Sequence, residues 1–282
     1  MKKIKIITVV GARPQFIKAG VVSKALQKGC NFNEIMIHTG QHYDKNMSDI
    51  FFEELGIPEP KYNLGVGSYS HGKQTAKILE GIENILLNEK PEALMVYGDT
   101  NSTLAGALAA SKLHIPVVHI EAGLRSFNKL MPEEQNRIIT DHISNVLFCP
   151  TQTAVINLAN EGIRERVFNT GDVMYDSTLM NREIALTKMT FSECVENMVI
   201  LFGDSNIIEK EYYLATIHRA ENTDSIEKLN HILNGFEKLG YRVLFLVHPR
   251  TYNLMKDLIH STKYKNIIFS RPVSYLQMII LT

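Results

Sequence analysis

Apolar residues come in short unbroken runs along the first half of the chain: "IKIITVV" (4–10), "EIMIHT" (34–39), "ALMVYG" (93–98) and "PVVHI" (116–120). Between them lie longer segments of helical period: one from about Phe16, then "MSDIFFEEL" (47–55), "STLAGALAASKL" (102–113) and "EEQNRIITDHI" (133–143). Alternation of this kind predicts βαβ units on a parallel sheet. Runs that are apolar throughout, rather than at every second position, predict strands covered by helices on both faces. After "RVFNTGD" (166–172) the rhythm lapses into a Met-rich mixed segment through about Asp204. It resumes with "EYYLATIH" (211–218), "YRVLFLVH" (241–248) and "KNIIFS" (265–270). A chain of 282 residues exceeds what one core usually serves. Two domains are expected, residues 1–172 and 173–282.

The uncommon polar residues collect where apolar strands stop. "GARP" follows the first strand and "HTGQH" the second, with "YGDT", "HIEAGLR", "TGD", "TIHRAEN" and "VHPR" after later ones. In open α/β sheets, ligands bind in the crevice outside the carboxyl ends of the strands. These clusters are therefore expected to face a shared cleft.

Each cluster has a chemical reading and a plain one. In "GARPQFIK", Gly11 permits a tight strand-to-helix turn and Pro14 suits a helix start. Arg13 and Lys18 add charge to the positive end of the helix dipole, which makes a phosphate pocket; the alternative is an ordinary turn with solvated cations. Asp99 ends a strand and either caps the next helix or acts in a site, although Thr100 and Asn101 are also cap candidates. Glu121 directly follows a buried-type strand and needs a partner or a task, and a structural pair with Arg125 would answer that need. Pro132 starts a helix with Glu133 and Glu134 in its first turn, where Glu133 and Arg137 are i, i+4 neighbours. His218 with Arg219, and His248 with Arg250, leave two strands in the same manner and suggest a diphosphate site. His38, His42 and His71 read as loop residues, and the methionines as core filler.

Lys plus Arg and Asp plus Glu number 30 each, without the basic excess of a dedicated nucleic-acid binder. Cys30, Cys149 and Cys194 lie far apart with no metal-finger spacing, so no metal is implied and a reducing cytoplasm suits them. "MKKIKIITVV" has too short an apolar run for a signal peptide and reads as the first strand. No apolar stretch approaches the roughly 18 residues of a membrane span, and a soluble protein is expected. Neither standard dinucleotide or nucleoside-triphosphate glycine loop is present.

In this order, "VVGARPQFIK", "HTGQHYDKNMSDIFFEELGI", "YGDTNSTLAGALAA", "HIEAGLRS", "MPEEQNR", "TGD", "ATIHRAEN" and "HPR" give a sequence that resembles the non-hydrolysing UDP-N-acetylglucosamine 2-epimerases. The resemblance covers nearly the whole chain. It implies an α/β fold of two Rossmann-like domains of glycosyltransferase-B type, with the active site between them. It also implies inversion at C2 of a UDP-N-acetylhexosamine for surface polysaccharide precursors, no cofactor, and a homodimer in the cytoplasm. Arg13 and Lys18 are implied at the UDP side, where His218 contacts the diphosphate or assists its departure, with Arg219 and His248 nearby. Asp99, Glu121 and Glu133 are implied as carboxylates at the sugar, and Arg137 in substrate binding. Relatives often carry Thr and Glu where this chain has Ala12 and Gln15. They also continue past the equivalent of Thr282 into a nucleotide-holding stretch. The second domain is therefore expected to be incomplete, with "VSYLQMIIL" uncovered and the 282-residue chain inactive by itself. A hydrolysing relative, a glycosyltransferase of the same fold and a non-catalytic binding module are the alternatives.

Overall fold

The computed structural model describes residues 3–40, 57–204, 211–218, 220–223, 225–260 and 263–282. The chain forms two compact units, Met1–Leu179 and Met180–Thr282. The fold class is α/β with two Rossmann-like units of glycosyltransferase-B type.

The first unit holds β1 (Ile4–Val10), β2 (Phe32–His38), β3 (Tyr62–Asn63), β4 (Ala93–Tyr97), β5 (Val117–Ile120), β6 (Val146–Cys149) and β7 (Val167–Asn169). Their order in the sheet is β3-β2-β1-β4-β5-β6-β7, and every pairing is parallel. The chain runs outward from β1 through β2 and β3, then returns to β4 on the other side of β1. Consecutive loops leave β1 and β4 in divergent directions, which opens a crevice at that switch point. Helices α1 (Arg13–Lys28), α2 (His71–Glu89), α3 (Asn101–Lys112), α4 (Pro132–Ile143) and α5 (Gln152–Asn160) connect these strands.

Small residues let α3 sit close to the sheet. Ala105, Ala107, Ala109 and Ala110 are fully buried, and a Cβ added at Gly106 would come within 3.3 Å of Val96 and 3.4 Å of Val9. Helix α1 begins at Arg13, ahead of the start near Phe16 read from the sequence, because Pro14 falls in its first turn. The expected helix at 47–55 lies outside the described residues.

The Met-rich segment that breaks the sequence rhythm is helical. It forms α6 (Val173–Lys188) and α7 (Phe191–Glu196), and then the short strand β8 (Ile200–Phe202). The two units divide between Leu179 and Met180, and the boundary read from the sequence at Asp172 immediately precedes α6.

In the second unit β9 (Tyr212–Ala215), β10 (Arg242–Leu246) and β11 (Ile267–Ser270) are parallel, while β8 joins β11 antiparallel. Successive residues of β10 point to opposite cores. Val243 and Phe245 pack with Leu229, Leu233 and Met255, while Leu244 and Leu246 pack with Cys194, Met198 and Leu281. The remaining helices are α8 (Ala220–Thr223), α9 (Ile226–Lys238), α10 (Pro249–Ile259) and α11 (Tyr275–Leu281). Contrary to the expectation of an uncovered "VSYLQMIIL", Tyr275, Leu276 and Leu281 are buried. Leu281 shares a core with Cys194 of α7, a helix whose Thr190–Glu193 capping box the sequence reading passed over. Among the described residues no helix is long and apolar enough to cross a membrane.

Candidate active site

The turn after β1 is built around Gly11 and Gln15. A Cβ at Gly11 would stand 2.2 Å from both Ser102 Oγ and Thr39 Oγ1, so only glycine fits. Gln15 is buried, and its Oε1 accepts from the Gly11 and Ala12 amides at 2.8 and 3.1 Å. Its Nε2 donates to the Tyr97 carbonyl at 2.8 Å and to Thr103 Oγ1 at 2.9 Å. These amides are the donors that a phosphate at a helix start would use, and here a side chain takes them. Two cationic side chains, Arg13 and Lys18, stand on the first two turns of α1. Arg13 is half-buried at the first position of α1. Lys18 is buried, and its ammonium is ion-paired with Glu121.

Glu121 follows β5 with φ of 71°, in the left-handed region that a residue with a side chain seldom adopts. The Glu121 and Ala122 amides both donate to the Phe148 carbonyl at 3.0 Å, which holds this conformation. The pairing with Lys18 replaces the Glu121–Arg125 pair considered from the sequence. Arg125 turns away and donates to Asp141 at 2.7 Å and to Glu161 at 2.7 and 2.8 Å. Glu121 also lines a cavity of about 280 Å³ together with Val21, Phe148, Thr170 and Asp176.

Asp99 leaves the end of β4, the strand next to β5. It does not cap α3: Thr100 does so, accepting from the Thr103 amide. The Asp99 carboxylate is ion-paired with Arg137, and its backbone carbonyl accepts from Asn136 Nδ2 at 2.9 Å. Two consecutive residues of α4 thus hold one aspartate. The preceding Gly98 has φ of 61°, and a Cβ there would come 3.2 Å from Glu121 Oε2 and 3.5 Å from Lys18 Nζ. The turn carrying Asp99 consequently packs on the Lys18–Glu121 pair.

Glu133 and Glu134 are neighbours with opposite surroundings. Glu133 is exposed, and its carboxylate makes no hydrogen bond or ion pair among the described residues. Glu134 is 1 % exposed and accepts from the Ser126 amide and hydroxyl at 2.8 and 2.9 Å and from the Phe127 amide at 2.9 Å. Burial works against ionisation of Glu134, but the Ser126 and Phe127 donors and the Arg137 charge outweigh it and hold its carboxyl below the ordinary range. Arg137 bonds Glu134 at 2.9 Å besides Asp99, which corrects the i, i+4 pairing with Glu133. Helix phase explains the difference: Glu134 faces the loop that enters α4, while Glu133 faces outward.

In the second unit His218 follows β9 and His248 follows β10, its parallel neighbour, so the two rings stand with centroids 5.7 Å apart. Thr251 Oγ1 donates to the Ile217 carbonyl at 2.9 Å and ties the two turns together. Arg219 and the side chain of Arg250 lie outside the described residues, as does His42. His38 is a buried strand residue rather than a loop residue, with its ring 5.1 Å from that of Phe16. His71 opens α2, with its Nδ1 3.1 Å from Asn101 Nδ2.

Sequence reasoning passed over one further group. His119 in β5 is fully buried, with Nδ1 2.7 Å from Asp141 Oδ1 and Nε2 2.8 Å from the Gly98 carbonyl. Its apolar neighbours in "PVVHI" make it look like part of a strand core, and Asp141 like a polar residue on a helix face. Only the arginine two residues beyond Gly123 hinted that a buried charge was nearby.

The profile of the UDP-N-acetylglucosamine 2-epimerase family matches residues 24–282. A Methanococcus maripaludis protein described as a UDP-N-acetylglucosamine 2-epimerase homolog is 54% identical over 281 residues, covering 99% of this chain and 76% of that one. The UDP-2,3-diacetamido-2,3-dideoxy-D-glucuronate 2-epimerase of Pseudomonas aeruginosa is 49% identical, covering 98% of this chain and 75% of that one. The crystal structure of Methanocaldococcus jannaschii UDP-GlcNAc 2-epimerase in complex with UDP-GlcNAc and UDP superposes with a TM-score of 0.85 at 44% identity, covering 98% of this chain and 75% of that one. The chain belongs to the UDP-N-acetylglucosamine 2-epimerase family, a family of isomerases.

Proposed function

We propose that the protein inverts C2 of a UDP-N-acetylhexosamine, converting UDP-N-acetylglucosamine to UDP-N-acetylmannosamine by elimination and readdition of UDP. The product would serve as a precursor of surface polysaccharide. The observation that carries this reading is the pair of carboxylates at adjacent strand ends, Asp99 and Glu121, each met by a cation from a different helix.

The chemistry explains why such groups are needed. The C2 hydrogen is not next to a carbonyl, so it does not leave as a free proton near neutral pH. Cleavage of the C1–O bond, with UDP taking the electron pair, places positive charge at C1 and makes that hydrogen acidic. A carboxylate takes the proton, which leaves a glycal and UDP. Return of a proton to the opposite face of C2 and of UDP to C1 completes the inversion, with no hydride carrier. The scheme requires cations at the leaving diphosphate and an acid and a base at the two faces of the sugar.

We assign Arg13, Lys18, His218, Arg219 and His248 to the UDP side and Asp99, Glu121 and Glu133 to the sugar, with Arg137 binding substrate and holding Asp99. The Lys18–Glu121 pair adds a gating step. An arriving diphosphate competes with Glu121 for the Lys18 ammonium, so substrate binding frees the Glu121 carboxylate from its ion pair. The resemblance also implies a cytoplasmic homodimer, which sedimentation of the purified chain would test.

The deciding experiment is incubation with UDP-N-acetylglucosamine in deuterated water, followed by NMR. Deuterium at C2 of UDP-N-acetylmannosamine is expected, and its appearance with the 282-residue chain would also overturn the expectation that this chain is inactive by itself. A product that keeps the original hydrogen would exclude the scheme, and free N-acetylmannosamine would point to a hydrolysing enzyme. The similarity to the Pseudomonas aeruginosa protein favours one second reading, in which the substrate is a UDP-diacetamido uronic acid. Parallel incubation with that sugar nucleotide distinguishes the two by their kcat/KM.

A further inference from the structure

We propose that His119 is a positioning residue, held as an imidazolium between the Gly98 carbonyl and Asp141, and that this brace sets the spacing of the Asp99 and Glu121 carboxylates. The proposal rests on the assignment of those two carboxylates to the reaction.

Both ring nitrogens of His119 meet atoms that only accept. Nδ1 faces the Asp141 carboxylate at 2.7 Å, and Nε2 faces the Gly98 carbonyl at 2.8 Å. A neutral ring can donate from one nitrogen alone and would set a lone pair against an acceptor at the other. Two N–H donors satisfy both contacts. Asp141 then accepts from His119 through Oδ1, and through Oδ2 from the Gly123 amide at 3.1 Å and from Arg125 at 2.7 Å. Arg125 in turn is held by Glu161. Two cations and two anions balance, so no charge of the buried cluster is left uncompensated.

The contacts link the two turns that carry the site. Gly98 immediately precedes Asp99, and Gly123 closes the turn that begins at Glu121. The Gly98 amide also donates to the Ile120 carbonyl at 3.0 Å, so β5 grips both sides of Gly98. A buried ionic cluster is a weak source of net stability, because desolvation offsets most of its attraction. Its rigid geometry is what it provides. A base and an acid that act at one carbon tolerate little displacement, and an error of about 1 Å costs on the order of 100-fold in rate.

The test uses the whole chain with 15N-labelled histidine. In the parent protein both His119 ring nitrogens are expected to carry slowly exchanging protons. Asp141→Asn is expected to leave a single proton, on Nε2, because the amide can donate to Nδ1 while still accepting from Gly123 and Arg125. A neutral His119 ring in the parent overturns the proposal. Crystallography of His119→Gln is expected to show a displaced Gly98 carbonyl and an altered Asp99–Glu121 separation, and an unchanged separation overturns it. In turnover, His119→Gln is expected to lower kcat ~10–100-fold with KM changed less than about threefold, and Asp141→Asn to fall less far. Parent-like kcat in His119→Gln also overturns it. Absence of turnover in the parent counts against the proposed function alone, because the histidine spectrum and the carboxylate spacing report on the brace without catalysis.

Discussion

Lys18, in the second turn of α1, neutralises Glu121, which stands beyond the end of β5 with its backbone in a left-handed conformation. The pair joins the cation of one candidate subsite to the carboxylate of another. Replacing Lys18 with Met is expected to weaken UDP binding by about 1–3 kcal/mol, the usual worth of a charged hydrogen bond. Arg13→Ala should have an effect of similar size. Calorimetric titration with UDP checks both. Unchanged affinity in Lys18→Met would mean that the ammonium serves Glu121 alone.

Glu133 and Glu134 separate chemistry from architecture. Glu133→Gln is expected to leave the thermal midpoint where it is, because the Glu133 carboxylate makes no bond among the described residues, and to cut epimerisation at least ~100-fold. Asp99→Asn and Glu121→Gln should lose turnover on the same scale. Glu134→Gln should instead destabilise the protein by about 1–3 kcal/mol, since three donors from Ser126 and Phe127 converge on its carboxylate. Calorimetric melting and a turnover assay on the four variants separate the two effects; retained turnover in all three site variants would remove the carboxylate assignment.

Gln15→Ala is expected to cost about 2–4 kcal/mol. It leaves the Gly11 and Ala12 amides without the acceptor they share, in a place where water has little access, while the Tyr97 carbonyl keeps the Thr103 hydroxyl. Urea denaturation measures the loss. A shift below about 0.5 kcal/mol would mean that the turn re-forms its bonds another way.

Acidification should act through Asp141. Burial works to raise its carboxyl, yet the His119 and Arg125 bonds prevail and hold it below the ordinary carboxylate range, with Cys149 also nearby. A carboxyl whose folded value is depressed adds stability that is fully present above its unfolded value of about 3.9 and is lost as pH falls through the folded one. Denaturant midpoints of the parent are therefore expected to fall steeply below about pH 4, and those of Asp141→Asn to fall less. Parallel pH profiles for the two proteins would show that Asp141 does not govern the acid limb.

The alternation of apolar runs and helical periods was sufficient to establish an α/β chain with its polar residues at strand ends. Each of those signals is local. An unbroken run such as "IKIITVV" has to be covered on both faces wherever it lies, and Gly11 with Pro14 marks a turn into a helix whatever follows. Motif order did the rest, because several rare combinations in one sequence are specific to one family. The segment from Val173 to Glu196 escaped because its Met-rich pattern lacks a strong helical stripe, and its helices are held by packing such as that of Cys194 against Leu281.

Partners were what only the tertiary structure decided. Glu121 lies four residues from Arg125 and pairs with Lys18, while Arg125 goes to Asp141 and Glu161. Glu133 is the i, i+4 neighbour of Arg137, which instead joins Glu134 to Asp99. His119 looked like a strand residue until the sheet set Gly98 on one side of it and α4 set Asp141 on the other. Sequence patterns report periodicity and backbone preference, which act over a few residues. The choice among ion pairs depends on which side chains the sheet order brings within 3 or 4 Å at low dielectric, and that is a property of the folded chain.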